Sequence, residues 1–121
     1  MKKLFGILIL YFLLSTKSSI AAITVDKYLL AMTSDNKKVH ELIERNLMGI
    51  NSGLMYANAE LRFEKRKQIY CQPDKLAFNS QNLIQFVSDE IKFLQNKGMK
   101  IENFPIGMIL VMHLKRVFPC K

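Results

Sequence analysis

Tryptophan is absent from these 121 residues, and there are only two cysteines, two histidines, three prolines and five glycines. So little proline and glycine excludes a collagen-like or low-complexity chain. The longest apolar stretch, from Leu4 to Leu14, spans about 16 Å as a helix, half of the roughly 30 Å hydrocarbon core, which excludes a multipass membrane protein. Neither cysteine has a second Cys or His at ligand spacing, so no zinc framework is expected. No glycine-rich phosphate loop is present, nor any His/Asp/Glu spacing suited to a metal, and no cofactor is implied.

What is present is half hydrophobic and carries a formal net charge of +8, the balance of one small folded domain. The basic residues Lys2 and Lys3 precede the Leu4–Leu14 run, which gives way to polar Ser15–Ser19 and then to Ala21 and Ala22. This is the layout of a secretory signal peptide over 1–22, cut after Ala21 or Ala22. No cysteine follows the run to carry a lipid, so the product is expected to be soluble, without a membrane anchor and outside the cytoplasm. Without the three leader lysines, 15 basic residues face 10 acidic ones, a net charge of +5.

Export decides how Cys71 and Cys120 are read. An even cysteine count in an exported chain points to a structural disulfide between them. Over the remaining residues, 23–121, apolar positions recur at three and four, so an all-α domain of about four helices stapled by one disulfide is expected. The helices are placed at Val25–Thr33, from near Lys37 to about Ile69, from Ser80 to about Asn96, and from near Pro105 to Pro119. Ser34, Asp35 and Asn36 offer caps for the second and Ser80 for the third. Gly49 and Gly53 share one face of the second helix and are expected to admit a close neighbour, offsetting up to about 1 kcal/mol each in helix propensity. The apolar Ile106–Leu114 stretch is expected at the domain centre, with Met108 and Met112 as core filler.

Catalytic constellations do not assemble on this layout. His40 belongs to an exposed helix start and His113 to the apolar final helix as a satisfied core histidine. Ser52 lacks the strand-to-helix setting of a nucleophile elbow, and Asp89 and Glu90 diverge around their helix. An enzyme is therefore not expected. The charged stretch Glu60–Lys67 is read as a solvated helix surface, too short for a nucleic-acid stripe, and export removes the chain from cytoplasmic nucleic acid.

The C-terminal half carries Tyr70-Cys71-Gln72-Pro73, then an apolar helix over Gln81–Leu94, then Met112-His113-Leu114-Lys115-Arg116-Val117-Phe118-Pro119-Cys120. In these elements and their separation the chain resembles the Tai-type immunity proteins, and the Gly49–Gly53 helix segment resembles a further part of their pattern. It departs from them between Met32 and Leu47, where members often carry an additional cysteine pair. The resemblance implies a periplasmic antidote to a peptidoglycan amidase effector delivered by type VI secretion. Such an antidote is helical, often a homodimer, and blocks the amidase by covering its substrate cleft with a helix and a projecting loop. Two loops suit that role, Asp74–Asn79 and Asn96–Asn103. The second is preferred for its mixture of charge and exposed apolar groups at Lys97, Met99, Lys100 and Ile101. The alternative from a different class is a periplasmic acid-stress holdase, for which the seven methionines supply adaptable surface.

Overall fold

The computed structural model describes residues 22–121; of the expected leader, all but Ala22 lies outside the described residues. Four helices follow in order: α1 (Val25–Met32), α2 (Lys37–Phe63), α3 (Ser80–Asn96) and α4 (Ile106–Val117). No strand occurs among the described residues, and Cys71 and Cys120 form a disulfide with Cα atoms 4.9 Å apart. The all-α expectation and the pairing are met.

Helices α2 and α3 begin where side chains supply what the first turn lacks. Asn36 accepts from the Lys38 N–H at the start of α2. At α3 the cap is Asn79, one residue before the expected Ser80, and its side chain and that of Asn82 satisfy each other's backbone N–H groups reciprocally. The core gathers Val25 and Tyr28 from α1, Ile43 and Leu47 from α2, Leu83, Val87, Ile91 and Leu94 from α3, and Ile106, Ile109, Leu110 and Leu114 from α4. Tyr28 joins α1 to α3 by donating to the Ile84 carbonyl and sharing a hydrogen bond with Ser88.

Helix α2 stops at Phe63, six residues short of the expected end near Ile69. The Lys65 N–H donates to the Arg62 carbonyl and the Arg66 N–H to that of Leu61, with Lys65 at φ 56°. This is a Schellman stop with lysine where glycine is usual. Beyond it the chain reverses, and Asn58 binds both the Ile69 N–H and the Tyr70 carbonyl. Tyr70 is buried and delivers Cys71 to the tail, where the Cys71 N–H donates to the Phe118 carbonyl at 2.8 Å.

Two packing expectations are corrected. A methyl group placed on Gly49 or Gly53 would meet nothing within 4 Å, so these glycines face no neighbour among the described residues. The glycine that admits a close neighbour is Gly107 on α4, where an added Cβ would lie 3.1 Å from Ile50 Cδ1. Helix α4 is buried along the face of Ile106, Ile109, Leu110, His113 and Leu114, not on all sides. Met108, expected in the core, is half exposed, whereas Met112 packs partly buried against it.

Candidate functional site

The loop after α3 starts from Gly98. At φ 74° it takes the left-handed conformation that closes a helix, with the Gly98 N–H donating to the Gln95 carbonyl and the Met99 N–H to that of Leu94. The loop is then fastened from the other side by the chain entering α1. Val25 N–H donates to Phe104 O, Asp26 N–H to Glu102 O, and Ile106 N–H to Ile23 O, while Thr24 and Pro105 form an isolated bridge. Ile101 is 1% exposed, and its expected place on the surface is corrected: its side chain belongs to the buried core and anchors the loop from within. Lys97, Met99 and Lys100 remain exposed on this braced turn.

The loop continues into a cationic patch. Lys97 Nζ lies 4.5 Å from the Phe93 ring centroid, and the Arg116 guanidinium carbon lies 4.1 Å from the same ring. Both are cation–π contacts, which hold two flexible positive groups in place. Beside them is a shallow depression of about 380 Å³ lined by Glu90, Phe93, Leu94, Met112, Lys115 and Arg116.

Glu90 underlies this patch. It is 2% exposed, and its Oε2 accepts from Arg116 Nη2 at 2.7 Å and Nε at 3.0 Å, with His113 Nδ1 at 3.2 Å. His113 is stacked on Phe86, with ring centroids 4.7 Å apart. Its pKa is held below the usual histidine value chiefly by burial and additionally by Arg116, against the opposing pull of Glu90 and Asp89. The expected divergence of Asp89 and Glu90 is observed: Asp89 accepts from Gln85 Nε2 on the outside while Glu90 turns inward. The sequence reading named His113 as a satisfied core group but missed its partner. The signal was available, because Glu90 follows Leu83 and Val87 at helical spacing on the buried stripe of α3.

A second recess lies between α2 and the 72–78 segment. It holds about 430 Å³ and is bordered by Met48, Asn51, Met55, Leu76 and Phe78, among others. Gln72 Nε2 donates to the Leu76 carbonyl and fixes the curl of that segment. Asn51 is buried; its Nδ2 reaches only Met55 Sδ, and its Oδ1 has no partner. Asn51 and Asn58 both occupy places on the inward face of α2, where apolar side chains would otherwise stand.

The remaining candidates do not converge. Ser52 is exposed on α2, and His40 is half-buried with its Nε2 enclosed and unpaired. Among the described residues no group of three or more His, Cys, Asp or Glu side chains could hold a metal ion. No family model, curated protein or solved structure matches the chain.

Proposed function

We propose that this chain is a periplasmic immunity protein that binds a peptidoglycan amidase effector of type VI secretion and occludes its active site. The observation that carries the reading is the braced turn Lys97–Lys100 on a disulfide-stapled helical body, continuous with the cations held over Phe93. An inhibitor gains affinity when its contact loop is ordered before the encounter, since less conformational entropy is lost on binding. The Gly98 stop and the α1 strap do this for Met99 and Lys100. Lys97, Lys100, Lys115 and Arg116 favour an acidic partner surface and speed its approach, an effect that salt weakens. Export, on which the assignment rests, follows from the leader and agrees with the disulfide. The homodimer implied by the resemblance is no part of this occlusion.

The test is to export the suspected amidase in a susceptible cell with and without this protein. Survival in its presence, a purified complex, and weakening of both by Met99→Ala with Lys100→Glu are the expected results. Lysis regardless of its presence, with no complex on purification, rejects the antidote. Binding of many unrelated clients only after acidification would assign a holdase instead.

A further inference from the structure

Asn51 and Asn58 stand two turns apart on one face of α2, and both are buried. They are used differently. Asn58 lends its carboxamide to the returning chain, accepting the Ile69 N–H and donating to the Tyr70 carbonyl. Asn51 is 4% exposed, and among the described residues its Oδ1 has no partner while its Nδ2 has only Met55 Sδ at 3.7 Å. A thioether accepts weakly and cannot donate, so this contact fixes which way the amide points and leaves its acceptor unused.

The amide borders the recess of about 430 Å³ between α2 and the 72–78 segment, a volume in the range of small-ligand pockets. Met48, Met55, Leu76 and Phe78 give it apolar walls. The charged groups at it, Asp74 and Lys75, are exposed and of opposite sign, so its interior offers no buried charge to an ion. A carboxylate, phosphate or ammonium entering it would lose water without a charged partner, a cost that a neutral group escapes. A smaller hollow of about 140 Å³ shares Met55 and Gln72 with the recess and continues along α2 to Arg62. From Met48 to Arg62 the helix rises about 21 Å, the span of about six extended residues.

We propose that this recess binds an extended, uncharged segment of another polypeptide, through its backbone N–H and C=O groups and the apolar side chain between them. Asn51 repeats toward the partner what Asn58 does within the chain: Oδ1 accepts a backbone N–H and Nδ2 donates to a backbone carbonyl. The apolar side chain enters between Met48, Met55, Leu76 and Phe78. Met55 is 52% exposed and unbranched, so its sulfur yields the Asn51 amide to the stronger carbonyl acceptor as the segment arrives. No residue of the recess belongs to Lys97–Lys100 or to the patch at Phe93, so the proposal stands independently of the immunity reading.

The probe is N-acetyl-leucine N′-methylamide, one apolar residue flanked by two peptide groups, titrated into the oxidised protein up to its solubility limit and followed by heteronuclear NMR. Saturable shifts are expected at the Asn51 side-chain amide and at the Met48 and Met55 methyls. The analogue methylated at both nitrogens keeps the side chain and both carbonyls but has no N–H, and should bind about tenfold more weakly. Free leucine, with the same side chain between two charges, should not bind. Asn51→Leu should abolish binding of the probe and raise the urea midpoint, because it removes an unpaired buried amide. Leu76→Ala changes a wall residue that is 41% exposed, and should weaken binding severalfold at a nearly unchanged midpoint. No saturable shift, equal binding of the methylated analogue or of free leucine, or a lowered midpoint in Asn51→Leu would overturn the proposal.

Discussion

Asn58 on α2 completes the backbone of the segment ending at Tyr70: its Nδ2 donates to the Tyr70 carbonyl at 2.9 Å and its Oδ1 accepts from the Ile69 N–H at 2.8 Å. One buried amide thus acts as a piece of sheet edge for a chain that has just left a helix. Without it, the return along α2 would leave a donor and an acceptor inside the protein with no partner.

Asn58→Ala should therefore cost about 2–4 kcal/mol, since a stranded buried polar group costs about 1–3 kcal/mol. Asn58→Asp keeps the acceptor but sets a buried carboxylate oxygen against the Tyr70 carbonyl, and should cost at least as much as the alanine change. Urea titration checks both through a lowered midpoint with little change in slope. A wild-type midpoint in Asn58→Ala would show that the segment is held otherwise.

Lys65 and Gly98 close their helices in the same left-handed conformation, at φ 56° and 74°. Only the second has the residue suited to it. Lys65→Gly should raise stability by up to about 1 kcal/mol, and Gly98→Ala should lower it by a similar amount, because a Cβ in this conformation costs about 1–2 kcal/mol. Thermal melts of the two variants should move in opposite directions.

The contrast between these two stops shows what was legible in the sequence. Gly98 after a periodic stretch announced the end of α3, and the Asn36 cap of α2 and the apolar spacing of α1, α3 and α4 were readable from the sequence. The end of α2 was not, because its terminating residue is a lysine inside a charged run that looks like continued helix. What ends that helix is tertiary: Asn58 captures a segment eleven and twelve residues further on. Ile101 was misplaced for a related reason. An apolar residue in a polar loop reads as exposed until the tertiary fold turns it into the core, here with the loop fastened beside Ile23–Asp26 by backbone hydrogen bonds. The pairing of Glu90 with Arg116 spans 26 residues and two helices, and only the buried position of Glu90 hinted at it. The open face at Gly49 and Gly53 inverts the expectation, since their spacing foretold a close approach that no described residue makes.

His113 makes stability depend on pH. Its folded pKa lies below the ordinary value of 6.5, so below about pH 6.5 the unfolded chain takes up a proton that the folded one resists. The His113 contribution is complete above that value and is lost as pH falls from it toward the folded pKa. Urea unfolding between about pH 7.5 and 5.5 should show this decline. His113→Gln, which keeps an N–H to offer Glu90, should flatten that part of the profile. An unchanged slope would mean that the proton is taken up elsewhere.

The disulfide joins residues 49 apart, and closing a loop of that size is worth on the order of 4 kcal/mol in the chain-entropy model. Much of the structure near the bridge has independent support. Phe78, Phe86 and Phe118 pack together with centroids 5.0–6.1 Å apart, and the Cys71 N–H holds the Phe118 carbonyl. Replacing both cysteines by serine should thus leave a folded protein whose melting temperature is lower by about ten degrees or more, with native helical circular dichroism below the transition. Reductant should bring the wild type to the level of the variant and leave the variant unmoved. The loss should also be local. Amide exchange should quicken first at Cys71 and around Phe118, while the α1–α3 contact at Tyr28 and Ser88 keeps its protection, because that contact lies outside the loop ends the bridge brings together. Equal melting of oxidised, reduced and serine forms would show that the aromatic cluster alone secures the tail.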